Sequence, residues 1–237
     1  GIFGIAMGIV LLPSLSKDIK NNNIKEIDNT QNRSLEFSLL ISLPSAAGLF
    51  ILSFPIIHIL FERGAFSFED TIYTSQVLSI FSLGLPAYIL IKILVTCFFA
   101  REDTKTPLYI SLITVLLNVF LSLMLISTMR EMGIALATSI SAWVNAILLF
   151  FILKFKKHLT IDYILIKNTF KIIIALLIMI FSCYILNKII FSYFTFNLPI
   201  KVTGLLLVII CSKIIYLTMI FMLKVFSIND LKGYLKK

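Results

Sequence analysis

The sequence predicts an all-α fold in which a bundle of helices crosses a membrane several times. Of its 237 residues, 59% are hydrophobic and only 14% are charged. Several apolar runs are long enough to span the hydrocarbon core of a bilayer with few or no charged residues. Because these runs are continuous rather than short and alternating, they indicate helices and not the strands of a membrane barrel.

The chain opens with an apolar run that is too short to span a membrane alone. This run begins at Gly1 and ends before Pro13. We therefore expect a partial span, as in a fragment that starts inside a helix. A polar loop is predicted over 16–33, with Asn21, Asn22 and Asn23 as low-complexity sequence within it.

The second apolar run, 34–60, is predicted to be a span with two kinks. Pro44 and Pro55 lie inside it, and proline removes a backbone donor and bends a helix. Glu36 lies about one turn inside the predicted boundary, so we expect its carboxylate to reach the lipid headgroups.

The longest apolar run, 71–100, is the segment around which the rest is organised. A helix of this length is about 45 Å long, enough to cross a bilayer with its headgroup regions. Gly84, Leu85 and Pro86 form a candidate hinge. Lys92 lies roughly two turns before Arg101, so we expect its amine either to extend toward the surface or to face a wet cavity.

Four more spans are predicted, at 108–127, 133–155, 169–186 and 202–225, which gives six full spans and one partial span. Lys213 lies near the middle of the last one, where a charge needs protein or water around it. We expect it on a groove or a helix contact. The predicted organisation is a first unit over 1–155, a basic connection over 156–168, and a final pair of spans with a tail over 169–237.

The placement of basic residues predicts the orientation of the chain. Alternate loops on one side carry fifteen of them: Lys17, Lys20, Lys25, Arg33, Arg101, Lys105, Lys154, Lys156, Lys157, Lys167, Lys171, Lys224, Lys232, Lys236 and Lys237. The other side carries four: Arg63, Arg130, Lys188 and Lys201. The first side, and with it the carboxy terminus, is therefore predicted to be cytoplasmic. The net charge of +9 then reflects membrane orientation and membrane lipids rather than a nucleic-acid partner.

Two consecutive spans carry polar stripes. Thr138, Ser141 and Asn145 share one face of the span 133–155, and Asn118 and Ser122 share a face of the preceding span. These side chains either hydrogen-bond between the helices or coordinate a small cation through oxygen atoms.

Enzymatic constellations are missing from the sequence. His58 and His158 are the only histidines, they are predicted on opposite sides of the membrane, and neither lies in a catalytic or metal-binding pattern. Glu62, in a short loop with Glu69 and Asp70, is expected to be simply solvated. The sequence therefore does not predict an enzyme.

Six segments occur in the order and at the spacing of one known family. They are GIAMGIVLLPSLS at 4–16, LPSAAGL at 43–49, LFERGAF at 60–66, GLP at 84–86 with Lys92, FAREDTKTP at 99–107, and 133–146. On these segments the chain resembles the MurJ/MviN family of lipid II flippases, within the multidrug/oligosaccharidyl-lipid/polysaccharide exporter superfamily. The last two spans match in position and hydrophobicity only.

The resemblance implies a fold and a function. Members have two six-helix lobes plus a final helix pair, and this chain would supply the second lobe and that pair. It would act in the bacterial inner membrane, moving lipid II by alternating access together with the amino-terminal lobe, and would be inactive without that lobe. The candidate substrate or cavity residues of this chain are Lys92, Arg63, Asn145 and Lys213.

A sodium site is also implied for some relatives. The matching positions are Asn118, Ser122, the carbonyl of Ile134 and Thr138, and Ser122 departs from the carboxylate of the family. The alternatives are another exporter of the superfamily, carrying a drug or a polysaccharide-lipid, and a membrane enzyme or structural subunit.

Overall fold

The computed structural model describes residues 2–193 and 198–225, with side-chain surroundings for 11–189 and 201–225. The helices are α1 (Ile2–Lys20), α2 (Ile24–Ile51), α3 (Ser53–Phe61), α4 (Phe68–Phe99), α5 (Lys105–Met129), α6 (Glu131–Phe155), α7 (Tyr163–Tyr193) and α8 (Leu198–Met222). Six stretches are long and apolar enough to cross a membrane: α2, α4, α5, α6, Tyr163–Ile189 of α7 and Lys201–Met222 of α8. These helices confirm the predicted all-α membrane bundle.

Helix α4 lies at the centre of the bundle. It packs against α6, α2, α3 and α1, whereas α5 packs mainly on α6, and α7 packs on both α8 and α2. The largest buried apolar cluster forms where α1, α2, α4 and α6 meet, and Leu15, Phe98 and Leu149 are fully buried in it. Inside a bilayer such a cluster is stabilised by close packing rather than by removal of apolar surface from water.

The bundle has two ends, which are named here by their helices. At the basic end, α1, α4, α6 and α8 finish and α2, α5 and α7 begin; the opposite end contains the turn after α3 and the α5–α6 turn. The predicted sides of the basic residues correspond to these two ends. Lys232, Lys236 and Lys237 of the predicted tail lie outside the described residues.

The predicted polar loop over 16–33 is wrong. Helix α1 continues to Lys20 and α2 begins at Ile24, so the three asparagines alone form the turn. Asn23 caps α2 by accepting a hydrogen bond from the N–H of Glu26. Helix α2 also buries Ile27, so the polar segment is an amphipathic first part of the spanning helix.

The two prolines of the second span have different outcomes. Helix α2 continues through Pro44, whereas the helix breaks at Leu52, three residues before Pro55. Pro55 then lies in the first turn of α3, where its missing N–H has no helical partner to lose. The break also relieves the clash of its ring with the carbonyl of Ile51.

All four helices that finish at the basic end close with the same turn. Two or three residues beyond the end of each helix, one residue has left-handed backbone: Asn22 (φ 52°), Glu102 (φ 60°), Lys157 (φ 56°) and Lys224 (φ 51°). The next N–H then bonds to the carbonyl five residues back, at 2.9 to 3.2 Å: Asn23 to Asp18, Asp103 to Phe98, His158 to Leu153 and Val225 to Ile220. These Schellman turns satisfy helix-end carbonyls without glycine.

Candidate functional site

The contact between α4 and α6 is built around a proline in α4. Pro86 has no N–H to donate, so the α4 ladder lacks one hydrogen bond there. Two side chains of α6 donate to carbonyls just before it: Ser139 Oγ to Ile80 O at 2.9 Å, and Trp143 Nε1 to Leu83 O at 2.9 Å. Because they are four residues apart, Ser139 and Trp143 share one face of α6. Helix α6 therefore holds the backbone of the candidate hinge.

Polar side chains line the contact between α5 and α6. Asn145 Nδ2 donates to Thr114 Oγ1 at 3.0 Å, so one member of the predicted α6 stripe forms an interhelical hydrogen bond with an α5 side chain that lies outside the predicted stripes. The Oγ of Ser141 and the Oδ1 of Asn145 are buried with no hydrogen-bond partner among the described residues. The α5–α6 seam is therefore polar, and the described residues satisfy only part of its hydrogen-bonding groups.

The four positions implied for sodium supply neutral oxygens only. Ser122 Oγ donates to Asn118 Oδ1 at 3.1 Å, and Thr138 Oγ1 donates to Ile134 O at 2.7 Å. Each oxygen is thus already hydrogen-bonded within its own helix. Hard cations favour carboxylate oxygens, and none is present in this set, so the residues fit a weak sodium site better than a tight one.

A buried carboxylate organises the basic end. Glu36 is 1% exposed, bonds to Arg33, and accepts a hydrogen bond from Asn168 Nδ2 at 2.6 Å. Arg33 also binds Asp162 at 2.6 Å, and Asp162 Oδ1 accepts from the N–H of Leu165 at 2.6 Å to cap α7. The expectation that Glu36 reaches the lipid headgroups is wrong, because its charge is paired inside the protein.

The connection after α6 is fastened to α2 and α4. Asn32 Nδ2 donates to Thr160 O at 2.7 Å. Arg101 donates to the carbonyl of Cys97 and to that of His158, both at 2.9 Å, so it satisfies the end of α4 while holding the connection. The connection is therefore packed against the bundle.

Three groups in this region have shifted pKa values. The hydrogen bond from Lys156 Nζ, 2.7 Å from Asp103 Oδ2, lowers the pKa of Asp103 to about 2. Burial lowers the pKa of Arg101, and burial together with the charges of Arg101 and Lys156 lowers the pKa of His158. The result is an ionised Asp103–Lys156 pair beside a histidine that disfavours protonation.

The opposite end contains a three-residue chain between α3 and α8. His58 Nδ1 lies 2.6 Å from Glu62 Oε2, and Lys201 Nζ lies 3.1 Å from His58 Nε2. Hydrogen bonds from His58 and Thr71 lower the pKa of Glu62. The expectation that Glu62 is simply solvated is therefore wrong.

The four candidate substrate or cavity residues do not form one cluster. Lys92 is partly buried in α4, and no described residue accepts a hydrogen bond from its amine. Arg63 is exposed in the turn after α3, and Lys213 is exposed on α8. Asn145 belongs to the α5–α6 seam.

A cavity of about 480 Å³ lies at the opposite end, between the start of α4 and the α5–α6 turn. Its lining includes Asp70, Tyr73, Thr74, Arg130 and Glu131. None of the four candidate substrate or cavity residues lines it.

Sequence reasoning missed the hydrogen bonds and the ion pair that join distant helices. The partners Arg33 and Asp162, Glu36 and Asn168, and His58 and Lys201 are more than a hundred residues apart. The one signal was the presence of Glu36 inside an apolar run, since a carboxylate there requires a partner.

Comparison with known proteins gives a consistent result. A family model described as "Lipid II flippase MurJ" matches residues 1–204. The probable lipid II flippase MurJ of Rhizobium tropici is 45% identical over 179 residues, covering 76% of this chain and 34% of the relative. The lipid II flippase MurJ of Thermosipho africanus (strain TCF52B) is 34% identical over 216 residues, covering 91% of this chain and 42% of the relative.

A solved structure of the same family also matches the chain. This structure, described as "Lipid II flippase MurJ, inward closed conformation", superposes with a TM-score of 0.78 at 31% identity, covering 98% of this chain and 44% of that one. The chain therefore spans less than half the length of these relatives, and the match falls in their carboxy-terminal half.

Proposed function

Because this chain belongs to the MurJ family of lipid II flippases, we propose that it forms one lobe of a transporter that moves lipid II across the bacterial inner membrane by alternating access. The family consists of transporters rather than enzymes in the usual sense. The six membrane-spanning stretches make the chain a multi-pass membrane protein.

The observation that carries the proposal is the fastening of α4 to its neighbours. In the middle of α4, Ser139 and Trp143 of α6 bind its backbone. At the basic end, Arg101 joins α4 to the connection that also binds α2. Alternating access by rocking requires each lobe to move as a unit, and these contacts provide that stiffness.

We further propose that the basic end is cytoplasmic. Leaving out Lys232, Lys236 and Lys237, twelve of the fifteen predicted cytoplasmic basic residues lie in the described part of the chain, against four on the other side. This asymmetry agrees with the rule that lysine and arginine gather in cytoplasmic loops.

The substrate contacts are proposed from the charge of the side chains and from polar atoms that lack a described hydrogen-bond partner. Lys92 has an amine without a described partner inside a spanning helix, which suits an anionic group such as the diphosphate of lipid II. Arg63, Lys213 and the unpaired Oδ1 of Asn145 are proposed as further contacts along the path. Sodium at Asn118, Ser122, Ile134 and Thr138 would bind weakly, because the four oxygens are neutral.

The proposed partner is an amino-terminal lobe, since a central cavity needs a wall on each side. Expression in a strain depleted of its own lipid II flippase tests this. We expect growth to be restored by the chain together with the amino-terminal half of a relative, and not by the chain alone. Lys92→Gln should abolish the rescue and Lys92→Arg should retain it. Rescue by this chain alone would overturn the proposal.

A further inference from the structure

The contact of α3 with α8 contains a histidine held between a carboxylate and an ammonium group. His58 Nδ1 is 2.6 Å from Glu62 Oε2, and His58 Nε2 is 3.1 Å from Lys201 Nζ. The imidazole also stacks on Phe54, with ring centroids 5.8 Å apart. Its orientation is therefore fixed on both edges and on one face.

These contacts assign the protonation state of His58. An ionised carboxylate only accepts hydrogen bonds, and an ammonium group only donates them. His58 must then donate from Nδ1 to Glu62 and accept at Nε2 from Lys201, which requires the neutral Nδ1–H tautomer.

A second proton on His58 would break this arrangement. Nε2 would become a donor facing another donor, and two positive charges would stand about 3 Å apart. Among the described residues, the charged groups that face His58 are Glu62, directly after α3, and Lys201 on α8, whereas α4 contributes the Phe68 ring against Phe54 and the Thr71 hydroxyl near Glu62. Glu62 can hold the imidazolium, so the contact that fails is the one with Lys201.

Loss of the contact between His58 and Lys201 would loosen only one end of α8. The half of α8 near the basic end is fastened by Tyr216, whose hydroxyl donates to Leu40 O at 2.8 Å. The half near the opposite end touches α3 through Lys201 and an apolar contact that includes Ile59 and Leu205. We propose that Glu62, His58 and Lys201 form a proton-sensitive clasp that holds the opposite end of α8 against α3 and releases it when His58 is protonated. This proposal does not depend on the transported substrate.

Distance measurement by electron–electron double resonance tests the clasp. Spin labels would replace Leu206 on α8 and Thr128 on α5, both exposed, in a chain whose three cysteines are changed to alanine. We expect one narrow distance distribution at about pH 8 and a second distance population that appears at about pH 5.5.

Variants separate the clasp from general acid effects. His58→Gln retains a donor and an acceptor but does not titrate, so its distribution should stay narrow at both pH values. Lys201→Met should give a distribution that does not change with pH. His158→Gln is the matched control, because His158 is the second histidine and lies at the basic end, away from the clasp. This variant should respond to pH as the native chain does. A native distribution that is independent of pH, or a pH response that survives in either His58→Gln or Lys201→Met, would overturn the proposal.

Discussion

Gly84 of α4 lies so close to Ser139 of α6 that a methyl group on Gly84 would come within 3.0 Å of Ser139 Oγ and 3.3 Å of its Cα. The Ser139 hydroxyl cannot turn away without losing its hydrogen bond to Ile80 O. Glycine at this position therefore permits the close approach that lets α6 bind the backbone before Pro86.

We expect Gly84→Ala to separate α4 from α6 and to lower the unfolding free energy by about 1 kcal/mol. Overpacking lowers the free energy of unfolding by about 1–3 kcal/mol. The higher helix propensity of alanine offsets up to about 1 kcal/mol of this loss. Gly48→Ala is the matched control, because its nearest neighbour would be Met179 Cε at 3.9 Å. Thermal unfolding in detergent compares them, and equal midpoints for the two variants would contradict the close contact.

Gly133→Ala should be more damaging than Gly84→Ala or Gly48→Ala. Its methyl group would lie 2.6 Å from the backbone oxygen of Leu125, and a backbone atom cannot move aside as a flexible side chain can. We expect the free energy of unfolding to fall by about 3 kcal/mol, because α5 and α6 must separate at their turn. A melting midpoint above that of Gly84→Ala would contradict the close contact between Gly133 and the Leu125 backbone.

Arg33→Ala should destabilise the chain by about 3–5 kcal/mol, because it leaves the charge of Glu36 buried without its ionic partner. The double variant with Arg33→Met and Glu36→Met should lose less, since it removes both charges. Lys25→Ala, at an exposed position of the same helix, is the control. Denaturation of the purified variants measures the difference, and an Arg33→Ala chain as stable as Lys25→Ala would refute the role of the buried pair.

The Asp103–Lys156 pair predicts a dependence of stability on acid. The folded pKa of Asp103 is about 2, below the value of about 3.9 for an unfolded aspartate. The stabilisation is therefore present above about pH 4 and is lost as the pH falls toward 2. Melting midpoints should fall more steeply over this interval for the native chain than for Asp103→Asn. The control Glu26→Gln, at an exposed position, should keep the native slope, and identical slopes in all three would contradict the pair.

Sodium should stabilise the native chain very little. If the dissociation constant exceeds about 100 mM, then about 100 mM sodium contributes less than about 0.4 kcal/mol. Ser122→Asp adds a carboxylate beside Asn118 and should lower the stability without sodium while increasing the gain from sodium. Melting in sodium chloride against choline chloride measures both, and a large sodium effect on the native chain would contradict weak binding.

Much of the fold could be predicted because hydrophobic length is a direct consequence of bilayer thickness. All six full spans follow from apolar runs. The polar first part of α2 was missed because helices extend beyond the hydrocarbon core, where Asn23 and Ile27 carry capping and packing signals without long apolar runs. The start of α7 at Tyr163, where the predicted span begins at 169, was missed for the same reason. Asp162 caps this polar first part of the helix.

The polar contacts between distant helices could not be predicted from spacing. A carboxylate in an apolar run indicates that a partner exists, but the choice of Asn168 for Glu36, or of Lys201 for His58, depends on how distant helices pack. The polar stripe was more accessible, because its helical spacing already placed Asn145 on the face that meets α5.

Transport of lipid II itself is the most direct test of the proposed function. The chain and the amino-terminal half of a relative would be reconstituted together in vesicles, and labelled lipid II reaching the other leaflet would be measured. We expect translocation with the pair, none with the chain alone, and loss of translocation in Lys92→Gln. Translocation by the chain alone, or a pair that binds lipid II without moving it while a full-length relative remains active, would contradict the assignment of this chain as one lobe of a flippase.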